Sequence, residues 1–249
     1  MNHREMLQVV QAQLAIDLNC TVADLNGETD SFVFTLAKDN PGRRPFARSE
    51  QHFDMLTMGR SIVVSTTPEL MPLVKAQIEG KSRDEAFSLP FVYGHSLYYL
   101  PEGESLQRSP EIAGYTYELI EQAEMDKAYL HQGFHNAVQY DFKHPRPDVL
   151  ALIARKNGLV VGMAGASADC ATMWQIGIDV LPQHRNLGLA AYLVNRLTLE
   201  VLRRGFVPYY GTASSNLASQ HVAHSAGYVP AWVNAYRGRF EGHETLPTC

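Results

Sequence analysis

Residues 176–197 read IGIDVLPQHRNLGLAAYLVNRL, and the middle of this stretch decides the fold. Its start is rich in Ile, Val and Leu, Val180 ends the strand, and Pro182 cannot continue a ladder. From Gly188 the spacing changes. Leu189, Leu193, Leu197 and Val201 fall on one face of a helix. Arg203, Arg204 and Gly205 close that helix, with cations at its negative end and glycine just past it. A strand therefore runs into a helix through PQHRNLGLA, with the helix expected to begin within 183–190. The first amides of a helix have no intrahelical partner, and its dipole favours anions there. Gly188 lets backbone approach a ligand closely, Ala190 stays small, and Arg185 adds charge and donors suited to phosphate. The junction is expected to hold a phosphate.

Working outward, VLALIARK (149–156), Asn157-Gly158 and LVVGMAGAS (159–167) predict a hairpin, because Asn-Gly supplies the positive φ angles of a tight turn. YTYELI (115–120) reads as a strand, 121–132 as helical and 141–148 as a loop. VPYYGT (207–212) reads as a strand, followed by a short helix and a strand pair from Tyr228. Upstream, Leu7, Val10, Leu14 and Leu18 predict an amphipathic opening helix. SFVFTLA (31–37) predicts a strand, FDMLTM and SIVVST a hairpin about Gly59-Arg60, and PELMPLVKAQIEG a helix from Pro68. The aromatic run 87–101 reads as a buried strand or as the wall of a substrate pocket. PEGESLQRSPEIAG (101–114) is polar and rich in turn formers, so a boundary is expected there, separating an N-terminal α+β region, 1–110, from a second domain, 111–249.

The chain has 249 residues, 45% hydrophobic, enough for a proper core. Its net charge of −5 argues against a general nucleic-acid binder. Cys20, Cys170 and Cys249 are odd in number and lack metal spacing, which fits a reducing, cytoplasmic setting. No run approaches the ~18 apolar residues that span a bilayer, and the first twenty residues do not read as a secretory signal. No membrane or nucleic-acid partner is expected. Oligomeric state stays open, with a homodimer paired through exposed strand edges one form open to it.

Val180, Pro182, Arg185, Gly188 and Ala190 make the pattern V-x-P-x-x-R-x-x-G-x-A, which resembles the acyl-CoA signature of the GNAT superfamily of N-acetyltransferases. SSNLASQHVAHSAGY (214–228) resembles that family's later helix, and the element order from about 112 onward agrees. The resemblance implies a GNAT fold: α/β, a mixed and mostly antiparallel sheet flanked by helices, here with the N-terminal extension setting specificity on the acceptor side. It implies acetyl-CoA as acyl donor, and no metal, with a small-molecule or peptide amine as acceptor. Backbone groups of Ile178 and Val180 would meet the acetyl carbonyl and pantetheine amides. The pyrophosphate would lie on Gln183, Arg185, Asn186, Leu187, Gly188, Leu189 and Ala190. Asn216 would touch the pantetheine arm and Ser219 the phosphate end.

Two positions depart from the family. Many members carry a glutamate base six residues before the signature valine, where this chain has Trp174 followed by Gln175. Many carry a tyrosine acid seven residues after the helix asparagine, where this chain has Ala223. Substitute proton carriers are sought in Tyr210 and His224, and in His95; packing and surface roles compete with each. His221 and His224 lack the further ligands of a metal site. Asp179 either orients its strand or binds the amine. Glu118, Glu121 and Glu124 read as a solvated face. An acyl-CoA sensor without turnover is the rival to the enzyme. A nucleotide site is a third reading, opposed by the absence of GxGxxG and GxxxxGK[ST].

Overall fold

The computed structural model describes residues 1–48, 50–102 and 106–238, so Cys249 lies outside the described residues. In chain order the elements are α1 (His3–Leu18), α2 (Val22–Leu25), β1 (Phe32–Leu36), β2 (Phe53–Thr57), β3 (Ile62–Thr66), α3 (Met71–Ile78), α4 (Arg83–Phe87), β4 (Val92–Pro101), β5 (Thr116–Glu121), α5 (Met125–Tyr129), β6 (Asp148–Lys156), β7 (Leu159–Ala168), β8 (Met173–Val180), α6 (Leu189–Arg203), β9 (Val207–Ala213), α7 (Leu217–Ser225) and β10 (Tyr228–Gly238). The described residues group into two compact units, 1–9 with 99–230 and 10–98 with 231–238. This differs from a single cut near 110. Contacts tie the described part of 99–110 to the first unit: Glu102 N donates to Gly227 O at 3.0 Å, and buried Asn195 accepts at Oδ1 from Ser109 N at 2.9 Å and donates from Nδ2 to Gln107 O at 3.0 Å. Residues 231–238 belong to the second because Val233, Asn234 and Ala235 pair antiparallel with Thr57, Leu56 and Met55.

In the first unit, strands β5 to β9 lie in sequence order. All neighbours are antiparallel except β8 and β9. The β6–β7 hairpin turns on Asn157 and Gly158, at φ 52° and 80°, the left-handed pair that a two-residue hairpin loop requires. Leu189, Leu193, Leu197 and Val201 are buried as the helical spacing predicts, and α6 packs close on β7: a Cβ at Gly162 would meet Leu193 Cδ1 at 3.1 Å. On the remaining side, Ile120, Met125, Phe134, Val138, Ile153 and Met163 form a second apolar cluster beneath α5.

In the second unit the strand order is β1-β3-β2-β10, with β1–β3 parallel and the rest antiparallel. One face carries the core: Phe53, Met55, Ile62, Val64, Val74, Ile78 and Ala235. The opposite face carries Asp54, paired directly with Ser65; residues directly opposite share a face.

Three local expectations change. The helix expected from Pro68 starts at Met71, because Pro72 is tolerated only in a first turn. The helix expected over 121–132 shrinks to a 3-10 turn, Gln122–Glu124, and Met125–Tyr129; Glu121 is claimed by the sheet opposite Leu150. The expected strand pair from Tyr228 is one strand of 11 residues, which lies between β2 and β4 rather than pairing with its own continuation. No helix among the described residues is long and apolar enough to cross a membrane.

Candidate functional site

The site begins with a strand that loses its neighbour. β8 pairs with β9 only over Met173–Ile176 and Val207–Tyr210, although both strands run on to Val180 and Ala213. On its other side β8 stays paired with β7 as far as Val180. From Gly177 onward β8 therefore presents an open edge. Leu181 N donates to Val161 O on the β7 side, and Val180 O turns away to accept from Arg185 Nε at 2.9 Å. Alternation along the strand then puts the amide and carbonyl of Ile178 on the open side.

A cleft of about 840 Å³ fills this gap, lined by Gly177–Val180, Gly211–Ala213, the 184–191 junction and α7. At the junction the expected helix start splits in two. Pro182–His184 form a 3-10 turn, and α6 begins only at Leu189 behind Gly188, which sits at φ 78° as an N-cap without a side-chain cap. A left-handed N-cap suits glycine and turns the preceding amides outward. The amides of Asn186 to Ala191 donate to no acceptor among the described residues; Tyr192 N, donating to Gly188 O at 3.0 Å, is the first satisfied one. These amides, the helix dipole and Arg185 make the cationic end of the cleft.

α7 supplies the facing wall and is capped by its own residue. Asn216 Oδ1 accepts from Ser219 N at 3.1 Å. Ser219 Oγ lies 2.7 Å from the hydroxyl of buried Tyr210. Burial raises the Tyr210 pKa above that of a free tyrosine, against the opposing effect of the Ser219 hydrogen bond, so the phenol keeps its proton at neutral pH.

Of the residues singled out in the sequence, Ile178, Val180, Arg185, Asn186, Gly188, Leu189, Ala190, Tyr210, Asn216 and Ser219 line the cleft. Gln183 and Leu187 belong to the same loop but do not line it, and Leu187 is 54% exposed. His224 is exposed and outside the lining; His221, one turn earlier on α7, is inside it. His95 belongs to the other compact unit. Trp174 is buried in a stack on Phe206, centroids 4.0 Å apart, and Ala223 is fully buried. Both positions are packing positions. Asp179 orients a loop: its Oδ2 accepts from Asn136 N at 2.7 Å and its Oδ1 from Asn136 Nδ2 at 2.6 Å.

A family model for GNAT acetyltransferases matches residues 96–236, more than half of the chain. The chain belongs to the GNAT acetyltransferase family. Its architecture is the GNAT fold, and the pattern V-x-P-x-x-R-x-x-G-x-A begins at Val180, the last residue of β8, and runs through the junction into α6. Similar solved structures include a GNAT-family structure from Novosphingobium aromaticivorans (19% identity, 59% of this chain and 64% of that one, TM-score 0.40), a GCN5-related N-acetyltransferase-like protein from Streptococcus suis (18%, 72% of each, TM-score 0.43) and yncA of Salmonella typhimurium with its cofactor acetyl-CoA (19%, 55% and 99%, TM-score 0.34). The match spans less than two thirds of the Novosphingobium chain. Among curated proteins none matches the chain.

Sequence reasoning missed Asn136 and passed over Gln175 as unable to take a proton; both line the cleft. Asn136 lies in an irregular loop with no periodic signal. The signal available was a pair of strand glycines. A Cβ at Gly177 would fall 1.7 Å from Asn136 O, and one at Gly165 1.8 Å from Ala137 O. Strand glycines of this kind mark a close backbone approach.

Proposed function

We propose that this GNAT chain is an acetyl-CoA-dependent N-acetyltransferase that acetylates the amine of a small molecule or peptide. One observation carries the reading: the open edge of β8 lines the same cleft as Asn186 and residues 188–191, whose amides have no acceptor among the described residues. An acyl thioester on a pantetheine arm with a pyrophosphate needs both, a strand edge for its amides and an anion site beyond.

In this reading the Ile178 and Val180 backbone groups bind the arm and offer an N–H to the oxyanion that forms when the neutral amine attacks. The amides of Asn186 to Ala190 and the Arg185 guanidinium bind the pyrophosphate. As the new C–N bond forms and the C–S bond breaks, the Tyr210 hydroxyl gives its proton to the departing thiolate, and the amine's extra proton leaves to solvent. Tyr210 lines the cleft and keeps its proton at neutral pH, so it has one to give. Positioning of the two substrates supplies much of the remaining rate.

A second reading, coenzyme binding without turnover, is favoured by one observation: Trp174 and Ala223 are core residues where proton carriers were looked for. Release of the coenzyme thiol from acetyl-CoA, followed across a panel of amines, separates the two. The enzyme reading expects amine-dependent release, with Tyr210→Phe lowering kcat about 100-fold and leaving acetyl-CoA affinity nearly unchanged. Tight acetyl-CoA binding with no amine-dependent release would favour the sensor.

A further inference from the structure

We infer that Gln175 and Asn136 form an acceptor subsite that selects amines carrying a hydrogen-bond-accepting oxygen within a few bonds of the nitrogen. The inference rests on the proposed acetyl transfer for the identity of the ligand, but its geometry stands apart from the coenzyme contacts.

Both residues line the cleft, and both are side-chain amides whose two ends are told apart by an ionic neighbour. Arg146 Nη1 donates to Gln175 Oε1 at 3.1 Å. A guanidinium cannot accept, so the oxygen end of Gln175 must face it. Arg146 is held in turn by Asp169, 3.5 Å away, whose side chain is completely buried and also accepts from Ser167 Oγ and the Tyr209 hydroxyl. The Gln175 Nε2 group is thereby turned away from this network, and it donates to no partner among the described residues. Asn136 is the mirror case. Its Nδ2 and its backbone N both donate to the Asp179 carboxylate. A carboxylate only accepts, so Asn136 Oδ1 is the end left over, on an exposed residue and without a partner among the described residues.

The cleft is thus given one oriented donor and one oriented acceptor. Gln175, Gly177 and Asp179 share a face of β8 by alternation, and Asn136 lies over Gly177 between the other two. The charges behind the two amides reinforce their dipoles. Arg146 polarises Gln175 so that its N–H end attracts a partly negative oxygen. Asp179 polarises Asn136 so that its oxygen attracts an amine N–H. The complementary ligand is an amine with a carbonyl or hydroxyl oxygen nearby, as in a peptide N-terminus, an amino-acid amide or an amino alcohol. A plain alkylamine leaves the Gln175 donor unpaired in a partly desolvated site, which is how a polar site rejects a ligand lacking the matching group.

The test is calorimetric binding of alanylalaninamide and of hexylamine to the full chain, with and without saturating coenzyme A. The wild type is expected to bind the dipeptide amide about tenfold tighter, the net weight of one hydrogen bond. Gln175→Glu, which replaces the donor by an anion, is expected to abolish or reverse that preference with coenzyme affinity unchanged. Gln175→Met, isosteric and uncharged, is expected to abolish it without reversal and guards against a folding artefact in the first variant. Equal wild-type affinities, binding of neither amine, or a preference that survives both substitutions would overturn the subsite. Failure of coenzyme A itself to bind would count against the proposed function, while the amine titrations without coenzyme still decide the subsite.

Discussion

Two regions of this protein carry polar groups without a hydrogen-bond partner among the described residues, and they do opposite things. In the 186–191 junction the unsatisfied groups are backbone donors that face a cleft. Water can satisfy them until a ligand does, so they cost little and offer a binding site. On the β2–β3–β10 face the unsatisfied groups are Asp54 Oδ1, Ser65 Oγ and Asn234 Oδ1, shut off from solvent and without a partner among the described residues. There the deficit shows as a displaced proton equilibrium instead. Burial pushes the Asp54 carboxyl up to about 7, with hydrogen bonding from Asn234 and charge from Arg44 acting the other way. Burial, then the Arg48 and Arg43 charges, push the neighbouring His52 down to about 4.

The largest expected effect separates the two regions by substitution at Gly188. Gly188→Glu puts bulk and negative charge at the anion site and should weaken acetyl-CoA binding at least about 100-fold. Gly188→Ala, forced to φ 78°, carries only the strain of a left-handed alanine, about 1 kcal/mol. Its affinity should fall far less. Equal losses in the two variants would mean that backbone strain, not the anion site, explains the first.

The buried region should answer to pH. Asp54 is raised from 3.8 to about 7, so the folded chain binds the extra proton between those values and stability falls as pH rises through them. His52 is lowered from 6.5 to about 4, so there the unfolded chain holds the extra proton and stability rises as pH rises from 4 to 6.5. Each slope is at most about 1.4 kcal/mol per pH unit, and in the wild type they oppose each other. Asp54→Asn should unmask a stability that climbs from pH 4 to 6.5, and His52→Gln one that declines from pH 4 to 7. Denaturant titrations of both variants across that range would show parallel curves if the polar face does not titrate.

The smallest effect concerns the helix that needs no ligand. Asn216 caps α7 through Ser219 N, so Asn216→Ala should lower stability by about 1 kcal/mol. Acetyl-CoA affinity should change less than with Gly188→Glu. A larger loss of affinity than of stability would make Asn216 a coenzyme contact first and a cap second.

The local structure of the junction proposed to hold the coenzyme was legible in the sequence because it is built from residues with fixed local meanings. Pro182 ends a ladder, Gly188 takes a positive φ, and the leucines of α6 repeat every four residues. The β6–β7 hairpin was legible for the same reason, through Asn157-Gly158. The acceptor half was not. Gln175, Asn136, Arg146 and Asp169 meet through loops and neighbouring strands, and nothing in the spacing of a glutamine and an asparagine tells which end of each amide is free. Trp174 and Ala223 were legible only as absences; the stack on Phe206 and the complete burial of Ala223 turned them into packing residues. The grouping of Gln107 and Ser109 with the first unit involves a buried asparagine, Asn195, that local composition does not reveal.

The most direct measurement is thermal unfolding with and without saturating acetyl-CoA, with ATP and NADH as controls. At 100 times its Kd the coenzyme should add about 2.7 kcal/mol, a rise of roughly 5 to 10 °C for a chain of this size, with neither control matching it. An unchanged transition with acetyl-CoA, or an equal rise with ATP or NADH, would contradict the assignment of the 186–191 amides and the open edge of β8 to an acyl-CoA.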